Sequence, residues 1–164
     1  MRESRERVTS AVRNSGYLFP QRRITVNLAP AQTRKEGSHF DLPIALAVLC
    51  ASGQIPSGDW SKDCCFVGEL ALDGSLRAVR GVLAMALEAK DRGFSKMVLP
   101  RDNAAEAAAT GLGAYGAASL REVADYLAGA PPAALSAAAV PSGERKTAGA
   151  SADNGPLPVD FSDV

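Results

Sequence analysis

The chain has 164 residues, 46% of them hydrophobic and 22% charged, which fits one soluble globular domain with some additional chain. No apolar run reaches the roughly 18 to 20 residues of a membrane span and the charged start MRESRERV is unlike a signal peptide, so a cytoplasmic setting is expected. Net charge is zero, yet residues 1–35 hold eight basic side chains against two acidic ones, an asymmetry that suits nucleic acid or another anionic partner, or equally the solvated side of a helix that faces a further domain.

Arg2 to Asn14 reads as a helix with Val8, Ala11 and Val12 on one side, stopped by Asn14-Ser15-Gly16. Its Arg2, Arg5 and Arg7 alternate with Glu3 and Glu6, so surface ion pairs along the helix are expected. In RRITVNLAP, Ile24, Val26 and Leu28 alternate with Thr25 and Asn27, which predicts a strand closed by Pro30. The loop 31–40 follows and carries the only histidine, His39. Asp41 is placed to cap the next helix and Pro43 is tolerated in its first turn. That helix runs to Ser52, is apolar on nearly every side, and should be central and buried.

Farther on, CCFVGEL and SLRAV flank ALDG, a strong hairpin signal. VRGVLAMALEAKDRG is an amphipathic helix ended by Gly93, KMVLP a short buried strand, and RDNAAEAAATG a helix with an Asp/Asn cap. LGAYG is a weak strand, and SLREVADYLAG a helix with Ser119 and Glu122 in capping-box spacing. From Ala130 the chain turns rich in Ala, Pro, Ser and Gly without periodicity. The expected organisation is therefore a domain over 1–129 and a flexible linker over 130–164.

Chemistry is sparse. Cys50, Cys64 and Cys65 form no disulfide framework and no zinc pattern, and read as reduced core residues. Neither a G-x-x-x-x-G-K-[ST] nor a strand-borne G-x-G-x-x-G occurs, so no phosphate cradle is encoded and no cofactor or metal site is expected in this segment. A Ser–His–Asp set could draw only on Ser38, His39 and Asp41, and adjacent residues usually point apart. A serine–lysine dyad is the other nucleophilic option.

The order KEG…FDLPIAL, FVGELALDGSLRAVRGVLAMALEAKDRGF and MVLPRDNAAEA resembles the proteolytic domain of Lon-type proteases. In that family the first loop is K-D-G-P-S-A-G, with the serine nucleophile, and a later G-G-L-K carries the lysine base. Matching the loop from Lys35-Glu36-Gly37 puts Ser38 at the family's proline and His39 at its serine. Matching Arg80-Gly81-Val82 puts Leu83 at the lysine. Both members of the dyad are absent, and a displaced pair of Ser38 with Lys35 or Lys90 is what remains of a peptidase reading. Lys90 lies about two helical turns beyond Leu83, roughly 10 Å.

VRNSGYLFPQRRITVNLAPA, KEGSHFDLPIALAVLCASGQI and VGELALDGSLRAVRGVL more closely resemble the amino-terminal domain of magnesium chelatase-like ATPases of the ComM type, over about residues 2 to 129. The resemblance implies an α/β fold, a two-layer Lon-like sandwich with a mixed sheet. It further implies a non-catalytic accessory domain that precedes an AAA+ module holding ATP and magnesium. PVDFSDV resembles the linker before that module, so both ends of the chain look cut. Members of the family are implicated in natural transformation as hexameric motors on branched DNA. The expected partners are thus the protein's own AAA+ module and DNA, with no membrane. Arg13, Arg22, Arg23 and Arg34 are the candidate phosphate contacts. The KEGSHFD loop is expected to keep the shape of an active-site loop without its chemistry.

Overall fold

The computed structural model describes residues 2–28, 37–130 and 136–137. Helix α1, Arg2–Asn14, buries Val8, Ala11 and Val12, the stripe its sequence spacing marks. Helix α2, Asp41–Ala51, packs against it; Leu42, Leu46 and Leu49 are at most 2% exposed, as an all-apolar helix requires. After the short α3, Trp60–Asp63, come strand β1, Cys64–Phe66, and the hairpin of β2, Glu69–Leu70, with β3, Leu76–Arg77. The remaining elements are α4, Val82–Asp91; β4, Lys96–Pro100; α5, Ala104–Ala108; β5, Gly113–Ala117; α6, Leu120–Leu127; and β6, Ser136–Ala137.

The fold is α/β with a mixed sheet ordered β1-β4-β5-β6, in which β1, β4 and β5 run parallel and β6 antiparallel. Helices pack against the sheet in two clusters. Val98 of β4 joins the core built from α1, α2 and α6, whereas its neighbours Met97 and Leu99 join a second core with Val82, Ala86 and Ala107 of α4 and α5. KMVLP is apolar at consecutive positions rather than alternate ones, and such a strand needs cover on both sides.

Three local expectations are corrected. RRITVNLAP forms no strand over its described part: residues 23–28 are extended but pair with neither sheet. CCFVGEL is not one strand; it breaks at Val67-Gly68 and serves both sheets, and only Glu69–Leu70 enters the hairpin. The N-cap of α5 is Asn103, yet its amide does no capping; it donates to Val79 O at 3.0 Å and accepts from Val79 N at 2.9 Å, clamping the approach to α4. Within the expected linker, Ser136 and Ala137 pair with Gly116 and Tyr115 as an edge strand; residues 131–135 and 138–164 lie outside the described residues.

Elsewhere the local signals hold. Asp73 in ALDG accepts from Ser75 N at 2.9 Å, an Asx-type turn, and Gly74 takes a φ of +89°. Ser119 caps α6 by accepting from Glu122 N at 3.2 Å, while Glu122 accepts from Ala118 N, one residue before the usual capping-box donor. Among the described residues no helix is long and apolar enough to cross a membrane.

Candidate functional site

The loop entering α2 is held by its backbone. Gly37 adopts a φ of +103°, and a Cβ there would lie 2.8 Å from His39 Nδ1, so both conformation and space call for glycine. Ser38–Phe40 then form a single 3-10 turn. His39 O accepts from Gly68 N and Gly68 O accepts from Leu42 N, each at 3.0 Å. Two bonds thus clip the loop onto the start of β2. Gly68 permits the approach: a Cβ added to it would sit 2.8 Å from Leu76 Cδ2 and 3.4 Å from Leu42.

Side chains complete the clip. The Ser38 hydroxyl donates to Glu69 Oε2. Asp41 is not a helix cap, a correction to its expected role: it is the first residue of α2, with Phe40 at the cap position. Its carboxylate is fully buried and accepts from Arg7 Nε at 2.7 Å, Arg7 Nη2 at 3.3 Å and Ser4 Oγ at 2.7 Å. A buried carboxylate must be paired in this way. The same bond raises the Arg7 guanidinium above its ordinary value. Arg7 therefore pairs across helices and not with Glu3 or Glu6, because Asp41 offers two oxygens out of water while the α1 glutamates offer only solvated contacts. His39 packs on Phe40, ring centroids 4.1 Å apart; burial lowers its imidazole below the ordinary value, with Asp41 pulling the other way.

Ser38, His39 and Asp41 are neighbours in space without forming a triad. No described lysine or histidine nitrogen bonds Ser38, and Asp41 is spent on Arg7 and Ser4. Lys90, the displaced-dyad candidate, is exposed and donates to Thr110 O at 2.7 Å, beside α5. At the position matched to the family's lysine, the backbone N–H of Leu83 donates to Glu106 Oε1 at 3.0 Å and the side chain is largely exposed. Lys35 and Glu36 lie outside the described residues. Cys64 is buried and its thiol is pushed up to about 12 by that burial, which makes it inert. Among the described residues no group of three His, Cys, Asp or Glu side chains is arranged to hold a metal ion.

The candidate arginines are split by the fold. Arg13 and Arg22 border a groove of about 780 Å³ between α1, α2 and residues 19–28, together with Arg5. Arg22, Ile24, Val26 and Leu28 all line it, whereas Arg23, Thr25 and Asn27 do not, so the alternation of the sequence survives without a strand partner. Arg23 is exposed away from the groove, and Arg34 lies outside the described residues. Sequence reasoning missed Ser4, Arg7, Gly68 and Glu69 as partners of the loop. Ser4 and Arg7 did carry a signal, being one helical turn apart at the border of the Val8–Ala11 stripe.

With this geometry in view, the likenesses of the chain to known proteins are specific. Residues 1–103 match the family model described as subunit ChlI of Mg-chelatase. The chain is 48% identical over 103 residues to the uncharacterized protein YifB of Escherichia coli, covering 63% of this chain and 20% of that protein. It is 42% identical over 130 residues to the competence protein ComM of Haemophilus influenzae, covering 79% and 25%. A more distant likeness, 30% over 115 residues, joins it to the Lon protease of Rhizobium meliloti, covering 66% and 14%. The chain thus spans a fifth to a quarter of the length of YifB and ComM. The match over residues 1–103, with ComM of Haemophilus influenzae at 42% identity beside it, shows that this chain belongs to the family of subunit ChlI of Mg-chelatase, among relatives of the ComM kind.

Proposed function

We propose that this chain is a non-catalytic accessory domain of a magnesium chelatase-like AAA+ ATPase that acts on DNA in the cytoplasm, with ATP and magnesium held by a separate module of a hexameric whole protein. The observation that supports it most is the state of the KEGSHFD loop. Two of its described polar side chains are committed to structural bonds, Ser38 to Glu69 and Asp41 to Arg7 and Ser4, and the third, His39, packs on Phe40 without bonding Ser38. Among the described residues neither partner of a serine–lysine or serine–histidine pair is in place, since the bond of Ser38 goes to the Glu69 carboxylate of the hairpin. A peptidase with Ser38 and Lys90 would first have to withdraw the amine from Thr110. The competence name of the Haemophilus influenzae relative supports a role in handling DNA.

The test is chemical. A fluorophosphonate probe should leave Ser38 unlabelled, and casein should not be turned over by the full chain. Labelling or turnover that vanishes in Ser38→Ala would reinstate the peptidase. For DNA, Arg13, Arg22, Arg23 and Arg34 are the proposed phosphate contacts, through the bidentate fork of arginine and without sequence preference. Each contact should contribute about 0.9 to the log–log salt slope on duplex or about 0.7 on single strands. Single variants at Arg22 and Arg23 are more telling than the double one, since only Arg22 faces the groove.

A further inference from the structure

Beyond the bend at Gln21-Arg22, the run 23–28 sends alternate side chains into the groove as a strand does, yet has no strand neighbour among the described residues. Among the described residues its backbone makes no hydrogen bond; the nearest such contacts stop at Leu18, whose N–H and C=O both bond the Gln54 side chain. A row of free N–H and C=O groups is what an edge strand offers to an added one. Its side chains point the same way. Ile24 and Val26 remain 39% and 44% exposed although both are β-branched and face Val8, Ile44 and Val48 across the groove. At the rim stand Arg5, Arg13 and Arg22 against one acidic side chain, Glu6, and no described carboxylate pairs with these three arginines.

These features select among occupants. A nucleic-acid strand would satisfy the arginines but has no amide ladder for the free backbone, and only one aromatic side chain, Phe19, lines the groove for base stacking. A second copy of the same edge would bring a second set of Arg5, Arg13 and Arg22 with nothing to neutralise them. A polypeptide with alternate apolar residues and carboxylates meets all three needs. We propose that residues 22–28 receive an extended acidic–apolar polypeptide segment as an added β-strand, its apolar side chains closing over Ile24 and Val26 and its carboxylates meeting Arg5, Arg13 and Arg22. The accessory-domain reading is not a premise of this one, but the two share Arg13 and Arg22, so an acidic segment seated here competes with phosphate at those two arginines and leaves Arg23 free for it.

The experiment uses the isotope-labelled full chain, titrated with a blocked octapeptide of alternating valine and glutamate and followed by amide NMR and hydrogen exchange. Binding should slow exchange at alternate amides within 23–28 at least tenfold, the mark of a ladder and not of side-chain docking alone. The valine–lysine octapeptide and the Arg22→Glu variant should each bind at least tenfold more weakly. Since Arg22 is exposed, unchanged protection at Leu46 and Leu49 will verify that the variant folds. Four results would overturn the proposal: no saturable binding of the acidic peptide, binding without slowed exchange in 23–28, equal binding of the lysine peptide, or protection of these amides by self-association of the chain or by octathymidylate in place of the peptide.

Discussion

Two segments flank the pair α1–α2, and they end in opposite states. Gly37–Asp41 is closed: its carbonyl, its serine and its aspartate are each matched by a partner from the hairpin or from α1. Residues 20–28 are open, with a backbone that no described residue matches and apolar side chains half in water. Helix α1 serves both, giving Ser4 and Arg7 to the first and Arg5 and Arg13 to the second. In the loop most like an enzyme's, Ser38 and Asp41 are both bonded to structural partners, whereas the proposed recognition surface is a backbone edge with a basic rim.

If the closed region is a lock, breaking it should be costly. Arg7→Met leaves a buried carboxylate short of its cation and should lower unfolding free energy by about 3 kcal/mol in denaturant titration. The double variant Arg7→Met/Asp41→Leu should recover most of that, because apolar replacement of both charges removes the desolvation cost along with the attraction. A single variant that unfolds at the wild-type midpoint would mean the pair is solvated and the lock illusory. Next in size is Gly68→Ala, whose new methyl must displace Leu76 and press on Leu42, at about 2 kcal/mol. By comparison Ile24→Thr on the open edge should cost under about 0.5 kcal/mol, since the side chain is already part-solvated and the ladder it would serve is empty. A larger loss there would show that the edge is covered in solution and would erase the contrast.

How much of this was legible in the sequence follows the range of the interactions. Helices α1, α2, α4 and α6 could be read because their signals are local: apolar spacing, a glycine stop, a serine cap. The ALDG hairpin likewise rests on Asp73 and Gly74 within one turn. Strand status is not local. Ile24, Val26 and Leu28 alternate as well as any strand, but a strand exists only with a partner, and none of the described residues supplies one. Asp41 was assigned the nearest available task, a cap, when its true partners lie 34 and 37 residues earlier in α1. Asn103 was misplaced for the same reason, with its bonds going 24 residues back to Val79. For the site, the absence of the dyad residues at His39 and Leu83 could be read because it is a question of residue identity; the sequence had no means of showing that Ser38 would be held by Glu69.

The smallest predicted effect probes the rim of the closed region through His39. Burial against Phe40 lowers its imidazole below the ordinary value of about 6.5, with Asp41 opposing. The unfolded chain therefore binds the proton more readily than the folded one. It follows that the contribution of His39 to stability is complete above about pH 6.5, declines as pH falls below it, and levels off once the folded imidazole is also protonated. His39→Gln removes this titration and keeps a polar side chain. Because the ring is only part-buried, water screens the effect, and the difference between the two proteins should be a fraction of a kcal/mol. Denaturation midpoints for both, measured between about pH 5 and 7.5, should run parallel at the alkaline end and diverge at the acid end, the wild type losing more. Parallel curves throughout would mean that His39 is as solvated as the open edge; the reverse divergence, with the wild type gaining in acid, would mean that Asp41 outweighs burial and that the lock reaches beyond Arg7 to a second cation.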